Sequence, residues 1–129
     1  MKTQELAGCV IYDDQGKLLV LHRNTPELVQ WELPGGKIEK DEDASDTAKR
    51  EVNEELLIEV VISKEIGQAV FNHKDKLRNF TWFLADISKG TPEIGEPEKF
   101  DALRYISLDE LTNRDDISPN LINLLKVIG

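Results

Sequence analysis

The feature that most constrains this chain is the segment 36–58, which reads GKIEKDEDASDTAKREVNEELLI. If it is helical from about Asp43 to Leu56, each residue turns about 100° around the helix axis, so Glu51, Glu54 and Glu55 share one face. An apolar stripe at four-residue spacing borders Glu51 and Glu55 and consists of Ala44, Ala48, Val52 and Leu56. Carboxylates crowded at the edge of a core repel one another and lose hydration, and a cation would offset both costs. The segment therefore predicts a site for a hard divalent ion such as Mg²⁺.

The alternative interpretation of this segment is a solvated, charge-rich helix. The residues before it favour the metal site instead. The stretch 31–37 reads WELPGGK, which predicts a short apolar strand followed by a turn at Gly35 and Gly36. Glycine lets the backbone bend sharply and approach a ligand closely, so this turn would present bare amides and carbonyls beside the carboxylates.

Residues at fixed spacing connect the glycines to the helix, namely Gly36, Glu42, Arg50, Glu51, Val52, Glu54, Glu55 and Ile58. This pattern resembles the Nudix box of the Nudix hydrolases, which cleave a nucleoside diphosphate linked to another group. One consensus position differs, because Leu57 stands where the family usually has a glycine that ends the helix as a left-handed cap, and we therefore expect a different helix exit. Asp41 also stands where relatives often have glycine.

The resemblance implies a metal-dependent reaction at phosphorus. In similar enzymes the glutamates matching Glu51, Glu54 and Glu55 bind Mg²⁺ or Mn²⁺, and the backbone carbonyl matching Gly36 can add a ligand. Such metals neutralise charge on a diphosphate and lower the pKa of an attacking water.

Arg50 and Glu42 are expected to support these ligands. Arg50 would orient the ligand carboxylates, with Glu42 as its structural partner, and the alternative is a surface pair with Glu54 on the helix. Gly35 is expected to have a structural role in the motif.

The general base stays open. Glu54 and Glu51 are catalytic candidates within the box. Relatives that hydrolyse nucleoside triphosphates carry a loop similar to Glu96-Pro97-Glu98-Lys99, from which a glutamate can reach the metal. We favour Glu98 over Glu96 there, and a purely solvated acidic loop is the alternative.

Four residues are candidates for contact with the substrate. Arg23 and Lys37 would contact phosphate, although each could equally be an ordinary exposed cation. Arg78 and Asn120 lie in places similar to those of purine-recognising residues in MutT-like enzymes, and an amide can both donate to and accept from a purine edge. Because Trp82 and Phe83 point to opposite faces of a strand, at least one of them is expected in the core rather than stacked on a base.

The order of elements is β, β, β, α, β, β, β, α, which predicts an α/β fold with a mixed β-sheet between helices. This is also the α/β/α sandwich that the resemblance implies, as a single domain over residues 1–129. Two hairpins are expected, one from strands 5–12 and 17–23 and one from strands 59–71 and 77–87. Ser118 and Pro119 predict the start of a last helix that extends to about Val127.

Composition narrows the partners and the setting. A net charge of −9 argues against a nucleic acid polymer or an anionic membrane as partner, while a nucleotide remains compatible. Cys9, the single cysteine, is expected to be a buried strand residue, which suits a reducing cytoplasm. His22 and His73 are interpreted as exposed or structural, and a homodimer is expected from relatives.

The function expected from these residues is a MutT-like pyrophosphohydrolase that converts a normal or oxidised nucleoside triphosphate to its monophosphate and pyrophosphate. Hydrolases of ADP-ribose, dinucleoside polyphosphates or nucleotide sugars share the box. The window 71–76 lacks the Pro or Tyr that relatives acting on ADP-ribose or dinucleoside polyphosphates tend to carry. A non-catalytic nucleotide sensor has Leu57 as its sequence support. An isomerase acting on a prenyl diphosphate would need an activated cysteine, and Cys9 is poorly placed for that role.

Overall fold

The structure is a computed structural model that describes residues 3–128. Seven strands and three helices follow one another along this part of the chain. They are β1 (Gln4–Val10), β2 (Leu18–Asn24), β3 (Val29–Glu32), β4 (Gly35–Lys37), α1 (Ala44–Leu56), β5 (Glu59–His73), β6 (Lys76–Lys89), β7 (Phe100–Ile106), α2 (Leu108–Thr112) and α3 (Pro119–Ile128).

The strands form a four-stranded sheet in the order β4-β1-β6-β5 and a three-stranded sheet in the order β3-β2-β7. The larger sheet is mixed, because β1 pairs in parallel with β6 and antiparallel with β4. Side chains of β1 alternate between two cores, with Leu6 and Val10 packed in the core that contains α3, and Ala7 and Cys9 in the core that contains α1. Helices therefore cover both faces, and the predicted α/β/α sandwich with a mixed sheet is confirmed.

The expected hairpin between the first two strands is wrong over most of its length and forms only beside the turn at residues 13–16. There Tyr12 and Leu18 form an antiparallel bridge, and the Leu19 amide donates to the Ile11 carbonyl at 2.9 Å. Both edges of β1 are already paired, with β4 on one side and β6 on the other, so β2 continues into the second sheet.

The second hairpin is confirmed, and its turn is tighter than expected. The pair His73 and Lys76 closes the ladder of β5 and β6. Between them, Lys74 and Asp75 both have positive φ angles, 51° and 64°, as a two-residue turn of type I′ requires. Within β6, Trp82 and Phe83 are both buried and belong to opposite cores.

The predicted turn at Gly35 and Gly36 is also wrong, because both residues lie in strand β4. They pair with Gly8 and Ala7 of β1, and neither has a positive φ angle. These glycines serve close packing instead of a change in chain direction, as the geometry around Glu51 demonstrates below.

The long helix α1 begins and ends with clear caps. Asp43 is its N-cap and accepts a 2.8 Å hydrogen bond from the Asp46 amide. At the other end Leu57 has φ 58° and ψ 35°, and its amide donates to the Asn53 carbonyl at 3.0 Å. The expectation of a different helix exit is therefore wrong, since Leu57 adopts the left-handed conformation that the family's glycine would supply. Asp41 has a positive φ of 68° as well.

Cys9 is fully buried in β1, as predicted. Burial, with the negative charge of Glu55 nearby, raises the pKa of its thiol to about 12. Within residues 3–128, no helix is long and apolar enough to cross a membrane.

Candidate active site

A cavity of about 900 Å³ crosses the four-stranded sheet from edge strand β4 towards the opposite edge strand β5. Acidic side chains line it beside β4, namely Glu32, Glu51 and Glu55. Its other walls carry aromatic rings and hydrogen-bond donors, namely Phe71, His73, Lys74, Arg78, Phe80 and Asn120. The cavity thus differs in chemistry between its two ends.

Glu55 is the most buried of the helix glutamates, with 4% of its surface exposed. Its carboxylate accepts a 2.8 Å hydrogen bond from the Gly35 amide. Burial, followed by repulsion from Glu51, raises its pKa well above the usual value, and the Gly35 hydrogen bond opposes this only in part. A cation bound nearby would therefore stabilise the ionised form of this carboxylate.

Glu51 lies one turn earlier and packs directly against β4. A Cβ atom added to Gly36 would lie 2.5 Å from the Glu51 carboxyl carbon, so a larger residue there would force the Glu51 carboxylate to move. Burial raises the Glu51 pKa, with contributions from the negative charges of Glu54 and Glu96, while Arg50 lowers it. Gly35 is equally confined, because its Cβ would lie 2.7 Å from the Ala7 carbonyl oxygen.

Arg50 connects the carboxylates of this region. Its guanidinium donates two hydrogen bonds to Glu42, at 2.7 and 3.0 Å, and one to the Lys37 carbonyl at 3.2 Å. It also contacts Glu51 at 2.9 Å and Glu54 at 3.3 Å. The Arg50 hydrogen bond, aided by Thr47, lowers the pKa of Glu42 to about 2. Arg50 and Glu42 are thus the pair that the sequence predicts, with Glu54 as a further partner of the same guanidinium.

Glu54 differs from its neighbours because its side chain is 47% exposed. It lies on the same helix face as Glu51 and shares Arg50 with it, but water reaches it freely. Among the three helix glutamates, it is therefore the one with the greatest freedom to change contacts.

The loop 90–99 brings a further carboxylate to the site, and it is Glu96. The negative charge of Glu96 contributes to the raised pKa values of Glu51 and Glu55, and its carboxylate lies 3.5 Å from the Lys99 ammonium group. Glu98, on the other side of Pro97, is exposed. The preference for Glu98 over Glu96 stays a prediction.

The expected phosphate contacts have different surroundings. Arg23 forms a two-point ion pair with Glu32, at 3.0 and 2.8 Å, and its guanidinium lies 4.9 Å from the centre of the Phe100 ring. Lys37 is exposed at the wall of the cavity. Both residues line the cavity, but Arg23 is already neutralised by Glu32, a residue that the sequence analysis did not single out.

The expected base contacts also line the cavity. The Nε atom of Arg78 is buried and has no hydrogen-bond partner within the described chain. The Asn120 side-chain oxygen accepts a 2.7 Å hydrogen bond from the Trp82 indole. His73 lies nearby in the cavity wall, and burial, followed by the positive charge of Arg78, lowers its pKa. His22 lies elsewhere and is hydrogen-bonded to Asp101 at 2.7 Å.

The donor set of the acidic end fits a divalent metal ion. Among residues 3–128 no three His, Cys, Asp or Glu side chains already stand together as a ready-made metal cage. Glu51 bonds Arg50 and Glu55 bonds the Gly35 amide instead. Nevertheless these are desolvated oxygen donors beside the two glycines of β4, and such donors suit Mg²⁺ or Mn²⁺ better than a metal that prefers nitrogen or sulfur ligands.

Comparisons with known proteins agree with this geometry. A family model described as NUDIX domain matches residues 2–127. An RNA pyrophosphohydrolase of Bartonella clarridgeiae is 25% identical over 84% of this chain and 78% of that protein. The uncharacterized Nudix hydrolase YfcD of Escherichia coli strain K12 is 31% identical over 90% of this chain and 66% of that protein.

A solved structure has the same fold. The crystal structure of a MutT NUDIX hydrolase from Burkholderia pseudomallei superimposes with a TM-score of 0.88 at 25% identity, covering 100% of both chains. Nudix hydrolases in general use divalent metal ions, which the oxygen donors around β4 suit. The chain belongs to the Nudix family, and it is a Nudix pyrophosphohydrolase that acts on nucleoside diphosphate-linked compounds.

Proposed function

We propose that the enzyme converts a nucleoside triphosphate, normal or oxidised, to its monophosphate and pyrophosphate with the help of Mg²⁺ or Mn²⁺. The observation that carries the proposal is the cavity with carboxylates at one end and aromatic rings and donors at the other. The acidic end suits phosphates that arrive with a metal ion, and the other end suits a base.

The ligands proposed for the ion are Glu51, Glu54, Glu55 and the carbonyl of Gly36. When bound, the ion would neutralise phosphate charge and acidify a water molecule. The chain's own groups prepare this site, because Arg50 orients Glu51 and Glu54 and the Gly35 amide orients Glu55.

The reaction is a substitution at phosphorus. The oxygen of water forms a bond to phosphorus, the bond to the bridging oxygen breaks, and the product that keeps the bridging oxygen leaves with the electron pair. A carboxylate accepts the proton of the attacking water. Glu54 and Glu51 are the candidates from α1, and Glu98 and Glu96 are the candidates from the loop. The negative charge of Glu96 acts on Glu51 and Glu55, which supports Glu96 as the nearer of the two.

Contacts to the rest of the substrate are proposed from the cavity walls. Lys37 and Arg23 would bind phosphate, with Arg23 limited by its ion pair with Glu32. Arg78 and Asn120 would contact the base.

A second candidate substrate is an RNA that carries a 5′-triphosphate, because the Bartonella relative is an RNA pyrophosphohydrolase. The same bond would be hydrolysed. The net charge of −9 favours the free nucleotide, since a polymer gains affinity mainly from basic surfaces. We propose the cytoplasm as the setting on the strength of the single buried cysteine, and sedimentation would test the expected homodimer.

The test is a panel of substrates assayed for pyrophosphate and phosphate release with Mg²⁺ and with Mn²⁺. The panel holds nucleoside triphosphates, ADP-ribose, dinucleoside polyphosphates, nucleotide sugars and a short 5′-triphosphate RNA. Glu54→Gln should lower turnover about 100-fold or more, the scale expected of acid–base groups. Glu65→Gln makes the same change on an exposed part of β5 and should leave turnover intact. Turnover of ADP-ribose alone would reject the triphosphate proposal.

A further inference from the structure

The pairing of β2 with β7 is irregular next to Arg23, one of the cations that line the cavity. His22 lies opposite Ala102 in this antiparallel pair. The next residue of β2, Arg23, lies opposite Phe100. Asp101, between Phe100 and Ala102, is therefore the extra residue of a β-bulge. Bulges are common beside active sites because they redirect a side chain, and this one lies directly across from Arg23.

The side chain of Asp101 holds the residues on both sides of Arg23. One of its carboxylate oxygens lies 2.7 Å from His22 Nδ1, and the other accepts a 2.8 Å hydrogen bond from the Asn24 side-chain amide. His22 and Asn24 directly precede and follow Arg23. Since side chains alternate along a strand, these two lie on one face of β2 and Arg23 lies on the other. Asp101 thus fixes the backbone around Arg23 from the opposite face of the sheet.

On its own face, the guanidinium of Arg23 is held at one edge and against one ring. Its Nε and Nη2 atoms donate to Glu32 at 3.0 and 2.8 Å, and Gln30 donates to the same carboxylate at 2.8 Å. The centre of the buried Phe100 ring lies 4.9 Å from the guanidinium carbon. Within residues 3–128 the Nη1 atom of Arg23 has no hydrogen-bond partner. Nη1 is therefore the group with which Arg23 can bind a ligand while its ion pair with Glu32 is retained.

We propose that Asp101 is a positioning residue, which stabilises the bulge and thereby directs the free Nη1 group of Arg23 to a phosphate of the substrate. This role rests on the proposed function, in which Arg23 binds phosphate. Hydrogen bonds from a guanidinium to phosphate depend on alignment of its N–H bonds with the phosphate oxygens. An arginine that is already held in place also loses less side-chain freedom when the ligand binds.

The first test needs no ligand and measures the mobility of Arg23. The Nε–H signal of Arg23 is assigned in the ¹⁵N NMR spectrum as the one that Arg23→Lys removes. In the wild-type protein its order parameter should be about 0.85, as for a rigid backbone, and in Asp101→Ala it should fall towards about 0.6. The Nε–H signal of Arg50 on α1 is the internal control and should not change. An unchanged order parameter for Arg23 in Asp101→Ala would overturn the positioning role.

The second test measures the phosphate contact by calorimetry with Mg²⁺ and α,β-methylene GTP, which has no cleavable oxygen bridge between its first two phosphorus atoms. Arg23→Ala should weaken binding about tenfold, the scale of a charge-assisted hydrogen bond, and Asp101→Ala about fivefold. Asp101→Asn keeps a side chain of the same shape that can bond to both neighbours, so its affinity should stay within about twofold of the wild type. Asp86→Ala removes an exposed aspartate from β6 and should leave the affinity unchanged.

A double variant separates positioning from general damage to the sheet. If Asp101 acts through Arg23, then Asp101→Ala should weaken binding by less than about twofold in a protein that already carries Arg23→Ala. Losses that multiply to about fiftyfold would show that Asp101 acts independently of Arg23 and would overturn the positioning role. All variants are compared at a temperature at which circular dichroism shows each of them to be folded.

The outcomes distinguish this role from the proposed function. Hydrolysis of triphosphates together with independent losses in the double variant would overturn the positioning role and leave the proposed function intact. Coupled losses of affinity without hydrolysis of any triphosphate would overturn the proposed function alone. Equal affinity of Arg23→Ala and the wild type for α,β-methylene GTP would also overturn the positioning role, because Arg23 would then make no phosphate contact.

Discussion

At the scale of single residues, the glycines of β4 are the most exacting part of the site. A Cβ atom at Gly36 would lie 2.5 Å from the Glu51 carboxyl group. Gly36→Ala should therefore displace Glu51 and lower kcat/KM about 100-fold, as expected when a catalytic group moves by about 1 Å. Gly67→Ala is the control, since its Cβ would meet only Val127, at 3.5 Å. Full activity in Gly36→Ala would contradict the proposed role of Glu51.

Leu57 is a second residue whose backbone determines its effect. A left-handed conformation costs a non-glycine residue about 1–2 kcal/mol. Leu57 has a φ of 58° and therefore carries this strain. The residue is 51% exposed, so removal of its side chain would lose little packing. Leu57→Gly should raise the free energy of unfolding by about 1 kcal/mol, measured in urea, with unchanged turnover. Leu57→Ala keeps the strain and should not stabilise. An unstable or inactive Leu57→Gly would refute this reasoning.

The thiol of Cys9 gives a pH-dependent prediction. Burial raises its folded-state pKa from 9.0 to about 12. The folded state then holds the proton more tightly than the unfolded state, so this contribution to stability is complete below pH 9 and is lost as the pH rises towards 12. A thiol reagent at pH 8 should react slowly with the native protein and rapidly in urea. Fast reaction without urea would show that Cys9 is accessible.

The sequence indicated the acidic site because its main residues lie on one helix, where spacing determines the face. It did not indicate the contact of Glu32 with Arg23 or that of Trp82 with Asn120, since both contacts arise from pairing between separate parts of the chain. Glu96 and Glu98 could not be separated from spacing alone, because a loop has no fixed period. The helix exit at Leu57 was misjudged because a non-glycine residue can adopt the left-handed conformation where the helix cap holds it, as the bond from the Leu57 amide to the Asn53 carbonyl does here.

At the scale of elements, the loop 90–99 and helix α1 behave as one unit. The amides of Glu93 and Gly95 donate to the last carbonyls of the helix, those of Leu56 and Glu55, each at 2.9 Å. These bonds satisfy carbonyls that a helix end otherwise leaves unpaired. They also bring the next residue, Glu96, towards the carboxylates.

Gly95→Ala should disturb this unit, because a Cβ atom at this position would overlap the Glu54 carbonyl oxygen. We expect the loop to move away, Glu96 to leave the site, and kcat to fall about tenfold or more. Glu96→Gln should reproduce the loss of kcat without destabilising the fold, and Glu98→Gln should match the wild type. A loss of kcat in Glu98→Gln without a loss in Glu96→Gln would instead favour Glu98.

Local elements were predicted well and non-local ones poorly. Helix α1 and the hairpin of β5 and β6 follow from caps, periodicity and a short polar connection. The pairing of β1 with β6 is parallel and joins segments that are far apart in the sequence, so no local sequence pattern predicts it. Once that pairing exists, β1 has no free edge for β2, and the first expected hairpin forms only beside its turn.

At the scale of the whole molecule, the balance of charge links metal binding to stability. The chain has a net charge of −9, and Glu51 and Glu55 are held close together with raised pKa values. Mg²⁺ that binds the folded state should raise the free energy of unfolding by about 2.7 kcal/mol when its concentration is 100 times Kd. The melting temperature should rise accordingly.

The control for this prediction is Glu51→Gln. It removes a desolvated charge, so the metal-free protein should melt at a higher temperature than the wild type, while Mg²⁺ should add little. Differential scanning fluorimetry in EDTA and in Mg²⁺ measures both effects. A metal-induced shift of the same size in Glu51→Gln and in the wild type would place the ion elsewhere.

The proposed reaction can be tested by ³¹P NMR of the products formed from GTP and Mg²⁺ in ¹⁸O-labelled water. We expect a nucleoside monophosphate and pyrophosphate, with one ¹⁸O atom incorporated into one of the two products. The products should be absent in Glu54→Gln and present in Glu65→Gln. Release of inorganic phosphate instead, or unchanged turnover in Glu54→Gln, would contradict a pyrophosphohydrolase reaction centred on the glutamates of α1.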